Sequence, residues 1–188
     1  MTEATEIFAQ SMQKLGLDQP GQRIGVAVSG GGDSLALTLL MHEWASRRGG
    51  EIHAFTVDHG LRPQASAEAR NVHEMLQLRG ISHDILTWRG SKPLTHIQER
   101  ARQARYNLLI EACKREKITL LAIAHNREDQ IETFWMRLSK GSGLDGLAAI
   151  APLRILDGVR IVRPLLSFAR ADLRQACRDF GVEWIDDP

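Results

Sequence analysis

Short apolar runs rich in β-branched residues alternate with longer segments of helical periodicity along this chain of 188 residues. The runs predict strands, and apolar residues that recur every three or four positions predict amphipathic helices. The predicted strands are 23–29, 51–58, 81–88 and 119–124, and the predicted helices are 3–15, 35–48, 65–79, 94–117 and 127–140. Strands that alternate with helices of this length form βαβ units with right-handed crossovers, which build a mostly parallel sheet.

The end of the chain has a different pattern. Two short stretches, 154–156 and 159–163, flank Asp157-Gly158, a dipeptide typical of a tight hairpin turn. A final helix is predicted over 169–180, and Gly181 is suited to cap its C-terminus. We therefore predict one α/β domain over residues 1–188, with a mostly parallel, Rossmann-like sheet of about five strands and helices on both faces.

A glycine-rich turn, Ser29-Gly30-Gly31-Gly32-Asp33-Ser34, joins the first predicted strand to the next helix. Free backbone N–H groups and the positive end of a helix dipole make such a turn an anion site, and glycine lets the backbone approach a ligand closely. The turn lacks the lysine of a P-loop, and Leu35 stands where the Rossmann pattern has its third glycine. We predict a phosphate site here. A nucleophile elbow with Ser29 as the nucleophile and a turn without a ligand remain alternatives.

Polar residues also follow the other predicted strands, at the sheet edge where ligands of open α/β sheets bind. They are the segments 58–62 and 125–133. Helix capping accounts for Asn126 and for one acid, Asp129. It does not account for His125 four positions before Asp129, or for Glu132 three positions after it, and these spacings align side chains on one helix face. Two acids beside a triphosphate suit metal ligation or recognition of an ammonium group.

Two further segments are candidates for function. The segment 99–106 is basic and helical; a solvated face accounts for Arg100 and Arg102, whereas Arg105 beside the single tyrosine is the better candidate phosphate ligand. The glycine-punctuated segment 140–147 is either a mobile lid with glycine hinges or a simple turn.

Composition restricts the class of protein. The chain is 43% hydrophobic and 25% charged with a net charge of +1, so it lacks the strongly basic character of many nucleic-acid binders. Its two cysteines, Cys113 and Cys177, form no CxxC pair, which gives little support for zinc, iron–sulfur or disulfide sites. No apolar run is long enough to span a membrane and the N-terminus does not resemble a signal peptide, so we expect a cytoplasmic protein without membrane partners.

The string Ser-Gly-Gly-x-Asp-Ser after a first strand resembles the PP-loop of the ATP pyrophosphatase superfamily, whose members split ATP into AMP and pyrophosphate while adenylating a substrate. A larger ordered set resembles the tRNA(Ile)-lysidine synthetase family over about residues 24–188: SGGGDS, VDHGLR, ARQARY, AHNREDQIET, RLSKGSGLDGL, RPLL and WIDDP. That family attaches lysine to the wobble cytidine of an isoleucine tRNA with a CAU anticodon. The resemblance implies an adenine nucleotide alpha hydrolase-like fold and a ligase that forms a C–N bond.

The resemblance also implies roles for single residues. Ser29, Gly30, Gly31, Gly32, Asp33 and Ser34 would bind the ATP phosphates, with Asp33 holding Mg²⁺. Arg105 and His125 match positions around the phosphates, Asp129 would serve Mg²⁺ or the lysine amine, and Glu132 would help recognise lysine. The catalytic set is then Asp33, Arg105, His125 and Asp129, with ATP and Mg²⁺ as cofactors. L-lysine and tRNA(Ile) with the CAU anticodon are the expected partners, and a homodimer is a further expectation. The family commonly has a second histidine where this chain has Asn126, so no catalytic role is assigned to Asn126.

Other functions stay open. A tRNA thiolation enzyme of the same superfamily would use the same adenylation, although such enzymes often rely on CxxC pairs or an active-site cysteine. A serine hydrolase would use Ser29 with His125, and a nucleotide-binding module would have no catalysis. The segment 182–188 ends without a terminating element, so we expect the sequence to stop inside a longer protein, before the tRNA-binding domains of the family. With its near-neutral charge, this chain is then expected to bind ATP but to bind tRNA weakly.

Overall fold

The computed structural model describes residues 2–17, 19–60, 65–88, 95, 97–139, 141 and 150–185. In chain order its helices and strands are α1 (Glu3–Lys14), β1 (Arg23–Ala27), α2 (Gly32–Ser46), β2 (Glu51–Asp58), α3 (Ala65–Gln77), β3 (Ser82–Thr87), α4 (Ile97–Arg115), β4 (Leu120–Ala122), α5 (Arg127–Ser139), β5 (Leu153–Leu156), β6 (Val159–Val162) and α6 (Arg170–Asp179). This alternation confirms the predicted α/β class. Within the described residues, no helix has the length and apolar character needed to cross a membrane.

The sheet has the strand order β3-β2-β1-β4-β6-β5, and every neighbouring pair is parallel except β5 and β6. It has six strands rather than the predicted number of about five. The hairpin contributes both of its strands, because β6 pairs in parallel with β4 and β5 then adds to the edge. Asp157 and Gly158 both have positive φ, as the tight turn between the two strands requires.

The chain moves outward from β1 to β3 and then returns to place β4 on the other side of β1. Gly25 of β1 therefore lies opposite His53 of β2 on one side and Leu121 of β4 on the other. The strand order reverses at this point. Ligands of open α/β sheets bind at such a switch point, outside the carboxyl ends of the strands.

Alternate residues of β1 pack into two separate hydrophobic clusters, as expected for a strand covered on both faces. Ile24 and Val26 pack with α1, α2 and α6, whereas Ala27 packs with Phe55 and with Leu109 of α4. The prediction of helices on both faces of the sheet is confirmed.

Helix α2 begins three residues earlier than the apolar pattern predicts. Leu35 donates its backbone N–H to the carbonyl of Gly31 (3.1 Å), which closes a first helical turn that contains Asp33 and Ser34. The hydrophobic periodicity starts only at Leu35, so it could not show this turn. As a result, the acid and the second serine of the glycine-rich turn belong to a helix N-terminus.

Candidate active site

Ser34 organises the glycine-rich turn from inside the first turn of α2. Its hydroxyl donates to the Gly31 carbonyl (2.9 Å), accepts the backbone N–H of Ser29 (3.0 Å) and lies 3.1 Å from the Ser29 hydroxyl. Gly31 is the N-cap residue and offers no side-chain cap, so the first N–H groups of α2 have no side-chain acceptor there. Gly30 has φ +91°, which permits the sharp reversal of the chain. The turn is thus a preorganised set of donors of the kind that binds phosphate.

One cavity of about 420 Å³ opens over this turn. Ser29, Asp33, Arg105, His125 and Asp129 all line it, although they come from three separate segments of the chain. The structure therefore brings together the phosphate loop and the four residues expected to be catalytic. This placement agrees with the expected site, and the individual roles of these residues stay predictions.

Opposing electrostatic effects act on the Asp33 carboxyl. Burial raises the pKa of its carboxyl, the Arg170 guanidinium opposes that rise, and the neighbouring Asp129 adds to it. Asn126 donates from Nδ2 to Asp33 Oδ2 (2.8 Å), and Arg170 Nε lies 3.6 Å from the same oxygen. Arg170 Nη2 also lies 3.9 Å from Asp129 Oδ1, so one guanidinium lies within ion-pair distance of both acids.

Asn126 and Asp129 cap helix α5 reciprocally. The Asn126 N–H donates to Asp129 Oδ2 and the Asp129 N–H donates to Asn126 Oδ1, both at 2.9 Å. The capping explanation from the sequence therefore applies, and it coexists with a position in the cavity. Asn126 has no exposed surface, and its remaining donor is the one that holds Asp33.

His125 is held in a neutral form. Burial lowers the pKa of His125 to about 4, and the Arg163 guanidinium strengthens the effect. Arg163 Nε donates to His125 Nδ1 (3.0 Å), and an arginine can only donate, so the proton of the neutral ring lies on Nε2. At neutral pH the imidazole is therefore a hydrogen-bond donor at Nε2, and His125 lines the cavity, where such a donor is suited to an anionic oxygen.

Arg105 lies half-buried on α4 and lines the same cavity. Within the described part of the chain it makes no hydrogen bond or ion pair. Burial lowers the pKa of Arg105 from its usual value, but a guanidinium stays charged at neutral pH. A half-buried positive charge that has no partner among the described residues is suited to an anionic ligand.

A second cavity, of about 360 Å³, adjoins the first because Ser29 and Arg105 line both. Val28, Phe55 and Leu109 form its apolar walls, and Thr56 and Glu68 supply polar groups. Its volume falls within the range of small-molecule pockets, about 300–1,000 Å³, and its mostly apolar walls suit a flat aromatic base. A nucleotide can thus place its base here and its phosphates over the glycine-rich turn.

Glu132 lies outside the phosphate cavity. It is exposed on α5 and lines a third cavity of about 470 Å³, together with Asp129 and His125. Arg137, Arg154 and Arg163 line the same cavity, which therefore carries both acidic and basic groups. The two acids predicted to recognise lysine share this cavity, next to the phosphate cavity.

The segment after α6 covers the glycine-rich turn. The Ile185 N–H donates to the Gly30 carbonyl (3.1 Å). A Cβ added to Gly32 would meet the Trp184 ring at 3.3 Å. Trp184 and Ile185 both line the phosphate cavity, so this short segment, 184–185, is one of its walls.

Sequence reasoning missed several cavity residues and overestimated others. It gave Asn126 a capping role alone and assigned no role to Arg163, Arg170 or Trp184, although the motif strings contained Asn126, Arg163 and Trp184. Asp58, expected near the loop, instead binds its own turn, accepting from the Gly60 N–H (2.8 Å) and the Ser66 hydroxyl (2.6 Å). The candidate lid at 140–147, apart from Gly141, lies outside the described residues, as do residues 61–62 and 186–188.

The switch point, the glycine-rich turn and the basic cavity define an α/β nucleotide-phosphate-binding domain. A model of the family described as a PP-loop domain matches residues 4–188, and the chain belongs to this family. This membership indicates ATP binding.

Curated relatives refine the comparison. The chain is 45% identical over 170 residues to the tRNA(Ile)-lysidine synthase of Ruegeria pomeroyi, which covers 90% of this chain and 41% of the relative. It is 47% identical over 165 residues to that of a Bradyrhizobium species, a match that covers 87% of this chain and 46% of the relative. It is 44% identical over 189 residues to that of Rhodopseudomonas palustris, a match that covers 100% of this chain and 53% of the relative. The chain therefore spans about half the length of the curated relatives it matches.

Solved structures confirm the fold at low sequence identity. The U34-tRNA thiolase NcsA from Methanococcus maripaludis superposes with a TM-score of 0.84 at 18% identity, covering 99% of this chain and 66% of that one. An NH3-dependent NAD synthetase from Campylobacter jejuni gives a TM-score of 0.61 at 14% identity, covering 96% and 73%.

Proposed function

We propose that this protein uses ATP to join lysine to C2 of the wobble cytidine of an isoleucine tRNA with a CAU anticodon. One observation carries the proposal. The phosphate cavity, the base-sized cavity and the acid-bearing cavity adjoin one another and share Ser29, Arg105, His125 and Asp129 among them. The similarity of this chain to tRNA(Ile)-lysidine synthases supports the choice of substrates.

The first step is adenylation. The cytosine O2 attacks the α-phosphate of ATP, a new O–P bond forms, and the bond to the β-phosphate breaks to release pyrophosphate. The N–H groups at the start of α2, the Nε2–H of His125 and the Arg105 guanidinium would hold the phosphates. Donors fixed before the reaction stabilise the charge that develops on the phosphate oxygens.

In the second step one ammonium group of lysine loses a proton and the resulting amine attacks C2 of the adenylated cytidine; the C2–O bond breaks, AMP leaves and the attacking nitrogen releases a second proton. Asp129 and Glu132 would bind the ammonium groups of lysine in the third cavity. Arg137 and Arg154 of that cavity would pair with its carboxylate. The cavity thus offers acidic groups for the ammonium groups of a free amino acid and basic groups for its carboxylate.

The residues present fit a magnesium ion. Asp33 and Asp129 supply the carboxylate oxygens that Mg²⁺ prefers, and their position around the Arg170 guanidinium supports a cation site between them. Bound there with ATP, Mg²⁺ would neutralise phosphate charge. Asp33 and Asp129 would hold it, with the Asn126 side-chain amide bound to the Asp33 carboxylate and the Asn126 backbone N–H bound to the Asp129 carboxylate.

We also propose that residues 1–188 act as a single ATP-binding catalytic domain and that the protein works in the cytoplasm. The supporting observation is that a single sheet carries the whole candidate site. A homodimer stays a prediction, which analytical ultracentrifugation would test.

The competing functions have less support. Cys113 and Cys177 are buried, and burial raises the pKa of their thiols to about 12 and about 11, so neither suits a sulfur carrier. A serine hydrolase needs a basic histidine oriented by an acid. Here Nδ1 of His125 faces the Arg163 cation instead.

The test incubates the protein with ATP, Mg²⁺, radiolabelled lysine and tRNA transcripts. We expect label in the isoleucine tRNA with the CAU anticodon, none in a methionine tRNA with the same anticodon, and loss of pyrophosphate release in Asp33→Ala. Sulfur transfer without lysine incorporation, or fluorophosphonate labelling of Ser29, would reject the proposal.

A further inference from the structure

Arg170 occupies a position that helix stability does not explain. It is the first residue of α6, where the positive end of the helix dipole disfavours a cation. Its guanidinium nevertheless lies over the phosphate cavity, with Nε 3.6 Å from Asp33 and Nη2 3.9 Å from Asp129. The two acids offset the unfavourable location, so this arginine is matched to the site and not to its own helix.

The base of the Arg170 side chain is fixed, whereas its tip is loosely held. The Arg170 backbone N–H donates to Glu128 Oε2, and the Arg127 N–H donates to the Phe168 carbonyl, both at 3.0 Å, which locks the starts of α5 and α6 together. The Arg170 side chain is 44% exposed. Its two ion pairs are longer than the roughly 2.7–2.9 Å of a charge-assisted hydrogen bond. The guanidinium can therefore change partners without any movement of the backbone.

The guanidinium and a divalent cation would compete for the same two carboxylates. Asp33 and Asp129 are the residues placed to hold Mg²⁺, and Arg170 contacts one oxygen of each. A guanidinium lying between them repels a second cation, so one must leave when the other arrives. Phosphate oxygens are a suitable new partner for Arg170, because a guanidinium binds them with two parallel N–H donors.

We propose that Arg170 neutralises Asp33 and Asp129 while the site is empty, yields them to the incoming metal, and binds the β- and γ-phosphates that leave as pyrophosphate. This inference rests on the proposed function, since it requires an ATP site at the glycine-rich turn. Arg170 then neutralises the metal-binding carboxylates before the metal arrives and binds the leaving group afterwards. Because Arg170 moves from one anionic partner to another, its own charge stays paired throughout.

The test compares Arg170→Gln and Arg170→Lys with Arg178→Gln. Arg178 lies two turns further along α6, contacts Gln175 and lines none of the three cavities, so its replacement removes the same charge from the same helix. Its guanidinium lies 5.9 Å from the Trp184 ring, and Arg174 faces that ring at the same distance, so the ring keeps a cationic neighbour when Arg178 is replaced. Electron paramagnetic resonance measures Mn²⁺ binding to the nucleotide-free protein. Calorimetry measures the binding of inorganic pyrophosphate with Mg²⁺, and circular dichroism checks that each variant folds.

We expect Arg170→Gln to bind Mn²⁺ more tightly than wild type, because the competing cation is gone. The same variant should bind pyrophosphate at least about tenfold more weakly, the loss expected for a charge-assisted hydrogen bond. Arg170→Lys should bind Mn²⁺ as weakly as wild type, since lysine keeps the positive charge. It should lose part of the pyrophosphate affinity, since lysine lacks the two parallel N–H donors of a guanidinium. Arg178→Gln should match wild type in both measurements.

The opposite shifts in metal and pyrophosphate affinity are the decisive signature. If Arg170→Gln weakens the binding of both Mn²⁺ and pyrophosphate, the inference is overturned, because a structural role moves both affinities in the same direction. It is also overturned if the variant changes neither affinity or only one of them. The proposed function fails separately. A wild-type protein that binds pyrophosphate and Mn²⁺ as described but never transfers lysine would contradict the proposed function and leave Arg170 in its role.

Discussion

Asn126 and Asp33, 93 positions apart in the chain, are joined by a hydrogen bond of 2.8 Å from the amide Nδ2 to the carboxylate Oδ2. The same Asn126 side chain caps α5 through the Asp129 N–H. The Asn126 side chain therefore joins the Asp33 carboxylate in the first turn of α2 to the first turn of α5, and the Asn126 backbone N–H binds the Asp129 carboxylate. The contact links the glycine-rich turn after β1 to the polar segment after β4.

The first prediction concerns this amide. Asn126→Ala should destabilise the protein by about 1 kcal/mol, the usual cost of a lost N-cap, and should lower ATP-dependent pyrophosphate release by at least about tenfold because Asp33 loses its partner. Thermal unfolding and a pyrophosphate assay measure the two effects. Asn107→Ala, which removes an exposed amide paired with Gln103, is the control. Normal pyrophosphate release in Asn126→Ala would show that Asp33 needs no support.

The second prediction separates binding from stability at Arg105. This guanidinium has no hydrogen bond or ion pair within the described residues, so Arg105→Gln should leave the thermal midpoint unchanged or raise it slightly. ATP affinity measured by calorimetry should fall at least about tenfold, because a charge-assisted phosphate contact is lost. The exposed Arg100 of the same helix provides the control variant Arg100→Gln. Equal ATP affinity in the two variants would remove Arg105 from the site.

The third prediction uses two glycines that share a left-handed backbone but differ in surroundings. Gly30 has φ +91°, and a Cβ there would lie 3.0 Å from Val72 Cγ2, whereas Gly49 has φ +68° with nothing within 4 Å. The left-handed conformation alone costs an L-residue roughly 1–2 kcal/mol, so both alanine variants should lose about that much stability. Only Gly30→Ala should also weaken ATP binding. If Gly49→Ala weakens it equally, the effect is global destabilisation.

The fourth prediction tests the segment 184–185 as a wall of the phosphate cavity. Trp184→Ala should weaken ATP binding several-fold, because the ring packs on Gly32 and shields the start of α2 from water. Trp135→Ala is the matched control, since Trp135 is 59% exposed on α5 and lines none of the three cavities. Calorimetric titration with ATP distinguishes them. Unchanged binding in Trp184→Ala would mean that the turn binds phosphate without this cover.

The fifth prediction follows from two histidines whose pKa values are lowered to about 4, chiefly by burial: His125 and His83. Between pH 6.5 and 4 the unfolded chain binds more protons at these rings than the folded chain does, so stability falls as the pH falls through that window. By pH 5 each ring should cost roughly 2 kcal/mol. Urea unfolding at pH 7 and pH 5 should show a smaller acid-induced loss in His83→Gln than in wild type.

The raised pKa of Asp33 has the opposite effect on the pH dependence of stability, because the folded chain then binds more protons at this carboxyl than the unfolded chain does. The contribution of Asp33 is the same in wild type and in His83→Gln, so it cancels when the two are compared. An identical acid-induced loss in His83→Gln and wild type would show that His83 keeps an ordinary pKa in the folded protein. His83 is a suitable probe because it lines none of the three cavities; it is hydrogen-bonded to His73 and to Thr56, which lies in the wall of the second cavity.

Much of the fold was predictable because hydrophobic periodicity is local. The strand at 51–58 was predicted with the bounds that the structure has, and the hairpin turn at Asp157-Gly158 follows from two residues that tolerate positive φ. The start of α2 was not predictable from periodicity, because Gly32, Asp33 and Ser34 carry no apolar side chains. The strand count failed for a similar reason, since hairpin residues do not reveal which strand they will pair with.

By itself, the sequence determined the alternation of strands and helices, the glycine-rich turn and the cap of α5, because each depends on residues within a few positions of one another. Only the tertiary structure decided which distant side chains meet: Asn126 with Asp33, Arg163 with His125, and Arg170 with both acids. These contacts follow from β4 lying between β1 and β6. Strand order depends on the packing of the whole sheet, which no local pattern encodes.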